Sequence, residues 1–386
     1  MRLTLSKRCQ NLVQSEIRSM SLECEKIRGI NLSQGVCDLK TPSILIKQAE
    51  KALRQGLNYY TRYDGLYELR KAVAKKMERD NKIKADPEKN IVISAGATGA
   101  LYCACLALLD EGDEVILFEP YYGYHLNTLL AVGAKPLFVK LHLPNWRFFI
   151  SEIEKKISSK TKAILINTPA NPSGKVFLKE ELKEMAALAL KYDLFLFTDE
   201  IYEYFVYDDF EHISIGSFPE VADRTITISG YSKTYSITGW RIGYVVCHEK
   251  WAKMIGYMND LVYVCAPAPL QFAVAKGINS LKKSFYQNIR LVYQKKRDKI
   301  CLALEKVGLS PIVPHGAYYV LADVTKLPGK NSKEKAMYLL KKTGIATVPG
   351  SAFYHDKSGE NLVRFCFAKE DNELNEAINR LKKLEY

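Results

Sequence analysis

The sequence contains no C-x-x-C pair, no H-E-x-x-H, no G-x-G-x-x-G, no Walker P-loop and no arginine-rich arm. Each absence excludes a class of chemistry. The six histidines are scattered, so the clustered spacing of a zinc site is missing and no metal is expected. Without a glycine fingerprint, a dinucleotide or nucleoside triphosphate site loses its usual basis. The cysteines Cys9, Cys24, Cys37, Cys103, Cys105, Cys247, Cys265, Cys301 and Cys366 number nine, an odd count, and most stand among apolar residues, where a free thiol acts as a small buried hydrophobe. Long hydrophobic runs are missing too. The uncharged stretches near residues 94–109 and 261–275 are too short or too interrupted by proline to span a bilayer. The start, MRLTLSKRCQNLVQSEIR, lacks the apolar core of a secretory signal. Together these features predict a reduced, cytoplasmic protein without a membrane partner.

What is present is the composition of a folded protein. Apolar residues make up 47% of the 386 and charged residues 26%, which excludes the low hydrophobicity of a disordered chain. The 56 Lys+Arg exceed the 43 Asp+Glu by 13, a balance that can signal nucleic acid. Here the basic residues are spread along the chain, as at Lys75-Lys76 and Lys382-Lys383, so nucleic acid is not expected as a partner.

From about residue 90 to 250, short apolar runs alternate with helical patterns. Candidate strands are Asn90–Ser94, Glu114–Phe118, Pro136–Val139, Ala163–Asn167, Leu194–Thr198, Thr225–Ser229 and Tyr244–Cys247, with helices such as Ala100–Leu109 and Leu178–Tyr192 between them. That alternation predicts an α/β fold with a mainly parallel central sheet sandwiched by helices. Ligands of such sheets bind beyond the carboxyl ends of the strands. The last third has a long Lys-rich helix, roughly Ser280–Lys306, strand-like Ala317–Leu321 and Leu362–Phe367, and a terminal helix Glu370–Leu384. A large domain over 40–280 and a smaller α+β domain from 1–39 plus 281–386 are expected.

Four segments follow candidate strands. Ser94-Ala95-Gly96-Ala97-Thr98-Gly99-Ala100 ends a strand and opens a helix, which suits either a tight turn or a phosphate on the helix start. Asn167-Thr168-Pro169-Ala170-Asn171-Pro172-Ser173-Gly174 fixes a loop that projects Asn171, or is a plain turn. In Thr198-Asp199-Glu200-Ile201-Tyr202 an acid ends a buried strand, where a structural salt bridge competes with a ligand contact. In Ser229-Gly230-Tyr231-Ser232-Lys233, a lysine sits among small and aromatic residues, where desolvation would make a nucleophilic amine.

These segments, in this order, resemble the fold-type I, class I/II aminotransferases that use pyridoxal 5′-phosphate (PLP), over nearly the whole chain from Ser6-Lys7-Arg8 to Arg364. The resemblance implies Lys233 as the Schiff-base lysine and proton carrier, and Asp199 as the partner of the cofactor's pyridine nitrogen. It implies Tyr202 and Asn171 on the ring oxygen, Ile201 on one ring face, and Tyr122 on the other, with Tyr121 as the alternative. The phosphate would rest on Ala97-Thr98, with charge from Arg241 and help from Ser232. Many relatives carry serine where this chain has Gly230. Tyr60 matches the tyrosine that reaches a partner's phosphate, which implies a homodimer with composite sites. Arg364 and Gly35, with Tyr122 and Asn171, would bind the substrate; in Gly35-Val36-Cys37-Asp38 a cysteine replaces the common proline.

The reaction implied is ping-pong transfer of an amino group between an L-amino acid and a 2-oxo acid. Thr98 stands where aspartate-preferring relatives often carry lysine, and Tyr63, Tyr122 and Tyr124 would form an aromatic wall. Neutral, aromatic or thioether substrates are therefore expected ahead of aspartate. An aspartate aminotransferase and a β-lyase on the same scaffold remain the alternatives.

Overall fold

The computed structural model describes residues 3–10, 12, 15–37 and 39–384, so Asp38 lies outside the described residues. The expected seven strands of the central sheet all form, with ends displaced by at most two residues. They are β1 Ile91–Ala95, β2 Glu114–Glu119, β3 Lys135–Lys140, β4 Thr161–Asn167, β5 Phe195–Asp199, β6 Thr225–Gly230 and β7 Ile242–Val246. Their order across the sheet is β1-β7-β6-β5-β4-β2-β3. Only β7 runs antiparallel to its neighbours; the other pairs are parallel.

Successive side chains of a strand point to opposite faces, so a sheet covered on both sides needs apolar residues at every position. Strands β4 and β5 show this directly. Ile164, Ile166 and Leu196 pack on one face with Leu182 and Met185 of the helix Lys179–Lys191. Ala163, Leu165 and Phe197 pack on the other with Ala100, Cys103 and Ala104 of the helix Gly96–Leu108. That second helix starts four residues earlier than its periodicity predicts, because the small residues after β1 allow the chain to turn at once into helix.

The long helix begins at Lys283 rather than Ser280 and runs to Lys306. Ser280 instead closes a separate helix, Ala268–Ser280, which begins inside the uncharged stretch near 261–275. The last third carries an antiparallel sheet of β8 Ser310–Ile312, β9 Tyr319–Asp323, β10 Val348–Pro349 and β11 Leu362–Cys366, ordered β10-β11-β9-β8. Ile30–Asn31 pairs with Ile345–Ala346, and Met20, Cys24 and Leu32 share a core with Val320 and Phe365. The N-terminal segment thus packs with the C-terminal third. Among the described residues no helix is long and apolar enough to cross a membrane, and no cluster of His, Cys, Asp and Glu could hold a metal.

Candidate active site

The carboxyl ends of β4, β5 and β6 and the start of the helix Gly96–Leu108 open on one cavity of about 510 Å³. It gathers Gly35, Ala97, Thr98, Tyr122, Asn171, Asp199, Ile201, Tyr202, Ser232, Lys233 and Arg241, residues far apart in the chain and singled out by sequence. A larger hollow, about 620 Å³ and bordered by Arg79, Glu203 and Tyr286, contains none of them.

Lys233 opens onto the cavity, but its amine is enclosed. The Nζ donates to the Gly35 carbonyl at 2.8 Å and has no carboxylate partner among the described residues. Burial lowers its pKa to about 8, and the nearby charges of Arg241 and Arg364 push the same way. The Gly35 carbonyl also accepts from Tyr318 Oη at 3.1 Å. A Cβ on Gly35 would fall 1.8 Å from Tyr319 Oη, so only glycine admits this close approach. Cys37, at the position of the usual proline, is buried with its sulfur 2.6 Å from Tyr293 Oη and 3.0 Å from Ser236 Oγ.

Asp199 is fixed from two sides. Its Oδ2 lies 2.8 Å from His125 Nε2, and its Oδ1 accepts from the Ile201 backbone N–H at 3.2 Å. Asn167 Nδ2 donates to the Asp199 carbonyl at 2.9 Å, while Asn167 Oδ1 accepts from the Asn171 N–H at 2.8 Å. The last residues of β4 and β5 therefore set the loop that carries Asn171.

Arg364, on β11, is fully buried behind the wall formed by Asn171 and Tyr319. Its Nη1 donates to Asn171 Oδ1 at 2.8 Å and its Nη2 to the Ser33 carbonyl at 2.5 Å. Its guanidinium lies 4.2 Å from the Tyr319 ring centre, and its Nε has no partner. Tyr202 Oη meets Tyr319 Oη at 3.0 Å. Burial holds the Tyr202 hydroxyl protonated far above the ordinary range, and pushes Tyr319 up to about 12 against the opposing charge of Arg364.

At the helix start, Arg241 donates to the carbonyls of Thr238 and Ala95 at 3.0 and 3.3 Å, and forms no ion pair among the described residues. Gly96 has φ +77°, and a Cβ there would lie 2.2 Å from Arg241 Nη2. An unpaired guanidinium beside a helix N-terminus is an anion site. Gly230 has no room for a serine, since its Cβ would come within 2.9 Å of the Ile242 carbonyl and 3.0 Å of Gly243 Cα. The missing hydroxyl thus follows from close packing of β6 on β7.

Tyr122, not Tyr121, borders the cavity; the Tyr121 ring packs 5.6 Å from Phe138 in the core. Tyr124 stacks on Tyr122 at 5.3 Å. Tyr63 does not join that wall: its ring sits edge-on to Tyr257, 5.2 Å away, because the loop before Leu66 is held against the helix Glu249–Tyr263. Tyr60 is 82% exposed and outside its own chain's cavity. Among the residues to which the sequence assigns no role are His125, Asn167 and Tyr319. Asn167 was legible, as the polar end of an apolar strand. His125 and Tyr319 give no such signal, because only folding brings Tyr319 to the cavity and His125 against Asp199.

PLP presents a carbonyl, a basic ring nitrogen and a phosphate. The site offers an enclosed amine, a braced carboxylate and an unpaired arginine at a helix start, and the orphan Nε of Arg364 leaves a donor for a carboxylate. The residues fit the cofactor. Known proteins agree. A model of the family "Aminotransferase class I and II" matches residues 27–381. An aspartate aminotransferase of Pyrococcus abyssi is 35% identical over 389 residues, covering 99% of this chain and 98% of the relative. An aromatic-amino-acid aminotransferase of Thermococcus litoralis is 35% identical over 385 residues, covering 99% and 98%. The crystal structure of YbdL from Escherichia coli, with an identified methionine aminotransferase function, superposes with a TM-score of 0.94 at 30% identity over 99% of this chain and all of that one.

Proposed function

The chain belongs to the class I and II aminotransferases, which use PLP, and we propose that it exchanges the amino group of a neutral, aromatic or thioether L-amino acid with a 2-oxo acid by a ping-pong mechanism. The observation that carries this is the enclosed Lys233 amine, without a counter-ion among the described residues, in one cavity with Asp199, which His125 braces from behind. The stacked Tyr122 and Tyr124 favour aromatic and apolar side chains.

Bound PLP supplies the electron sink that makes the amino acid's Cα–H acidic. The protein's residues then have separate tasks. Lys233 would hold the cofactor and carry the substrate's Cα proton; burial already favours its neutral, proton-accepting form. Asp199 would keep the cofactor's pyridine nitrogen protonated. Tyr202 and Asn171 would serve the ring oxygen, and Ile201 and Tyr122 the ring faces. Ala97, Thr98 and Arg241 would hold the phosphate, with help from Ser232. Arg364 takes the substrate α-carboxylate, next to the Gly35 backbone.

The same proposal includes two domains, 40–280 and 1–39 plus 281–386, that close over substrate, a homodimer and a cytoplasmic setting. The separate antiparallel sheet of the last third supports the first. An exposed Tyr60 supports the second, since it would reach a partner's phosphate only in a dimer. A panel of amino acids and 2-oxo acids, read by the absorbance change of the bound cofactor, tests the function. Neutral and aromatic donors should bleach the band fastest, and the bleached enzyme should recover only with an oxo acid. Release of pyruvate and ammonia from a cysteine conjugate without any acceptor would instead mark a lyase.

A further inference from the structure

The hollow of about 620 Å³ shares no residue with the active-site cavity. It lies between the segment that follows β5 and the first two turns of the helix Lys283–Lys306, which leads into the C-terminal third. Its size is that of a small-molecule site. Tyr204 and Tyr286, ring centres 4.6 Å apart, together with Phe210 and Leu281, make its walls mainly apolar.

Two of the three acids that border it are matched. Asp80 accepts from Arg79 at 2.7 Å and from Tyr204 Oη at 2.6 Å, and Glu203 pairs with the buried Lys76. The third, Glu211, is exposed. The cations are less well served. Arg290 is half-buried and forms no ion pair or hydrogen bond among the described residues. Asp208 lies within its field but is held by Arg297 at 2.6 and 2.9 Å. Lys283 opens the helix without a partner among the described residues, and that helix start has no acid in its first turn and no side-chain cap. His212 leaves one more position open. Its side chain is 9% exposed and its Nε2 lies 3.0 Å from Glu200, but its buried Nδ1 has no partner among the described residues. A site with spare positive charge, unfilled hydrogen-bonding positions and aromatic walls selects an anion that carries a ring.

We propose that this hollow is an effector site that binds an aromatic carboxylic acid. The Arg290 guanidinium offers its planar fork to the carboxylate, the helix start and Lys283 add positive potential, and the ring lies against Tyr204 and Tyr286. The walls connect the hollow to the catalytic strands. Glu203 follows Tyr202 and accepts from Ser229 Oγ at 3.3 Å, on the strand that leads to Lys233. His212 holds Glu200, the neighbour of Asp199. An occupant that draws the helix Lys283–Lys306 toward these walls therefore bears on Asp199, Tyr202 and Lys233 together, without touching the substrate.

The test uses 2-naphthoate, which has neither an amino nor an oxo group to exchange, on the PLP-loaded protein. By calorimetry wild type should bind one equivalent per chain that Arg290→Gln weakens by at least about tenfold. Gln287→Trp, which fills the hollow from an exposed helix position, should weaken the same equivalent at least as much. At saturating donor and acceptor, which displace any acid competing at Arg364, the naphthoate should still change the kcat of wild type by at least about twofold and leave both variants unaffected. No binding, an equivalent that survives both substitutions, or an effect on turnover that vanishes at saturating substrates overturns the proposal.

Discussion

His125 Nε2 and Asp199 Oδ2 stand 2.8 Å apart, both side chains almost wholly out of water. A buried carboxyl oxygen needs a hydrogen-bond partner, and His125 supplies one from the first turn of the helix that follows Tyr122. Asp199→Asn should lower kcat by at least about 10²-fold, as loss of a preorganised charge does elsewhere. His125→Phe should cost less, about tenfold, because the Ile201 N–H still orients the acid. Steady-state rates of the PLP-loaded variants check both, and the order would be reversed if His125 itself carried the proton.

The lowered pKa of Lys233 gives a pH signature in the protein without cofactor. Burial favours the neutral amine, so the folded chain releases its proton near pH 8 while the unfolded chain keeps it to about 10.5. Between those values the unfolded state binds more protons, and stability rises with pH; below 8 the full penalty of the buried charge remains. Lys233→Met should therefore stabilise the cofactor-free protein at pH 7, on the order of 3 kcal/mol, with the gain shrinking above pH 8. Urea unfolding at several pH values measures it. In the same protein the rate of PLP uptake should climb through pH 8 and then level off.

Gly96 and Arg241 fit together so closely that a methyl group between them has no place. Gly96→Ala puts a Cβ against the guanidinium and also strains a backbone at φ +77°. PLP affinity should drop in Gly96→Ala and in Arg241→Ala, by about 30-fold in the latter for one lost charge-assisted pair. Equilibrium dialysis against PLP reads this, and unchanged affinity in Arg241→Ala would place the phosphate elsewhere.

Arg364→Ala should raise KM for the amino donor by about 10²-fold or more while PLP stays bound, because the ion pair proposed for the α-carboxylate would be lost. The removal also leaves Asn171 Oδ1 without its donor, so Arg364→Lys should recover only part of the loss. An unchanged KM would contradict the assignment.

The cavity was legible in the sequence wherever chemistry follows directly from a strand end. Asp199, Asn171 and Lys233 each sit just past an apolar run, and the parallel sheet carries those ends to one edge. The register of neighbouring tyrosines was not legible: Tyr121 and Tyr122 differ in that the Phe353 carbonyl accepts from the Tyr121 N–H and the Tyr121 ring packs on Phe138. The misplaced Tyr63 has the same origin, since an aromatic cluster in sequence does not reveal which ring a distant helix will capture. Tyr319 lies on a strand of a different sheet, and its meeting with Gly35, Tyr202 and Arg364 exists only in three dimensions.

The most direct test asks which lysine holds the cofactor. PLP-loaded protein reduced with borohydride, digested and read by mass spectrometry should carry the pyridoxyl group on Lys233, and Lys233→Ala should lose both that adduct and the visible absorbance. An adduct on another lysine, or full turnover by Lys233→Ala, would contradict the site described.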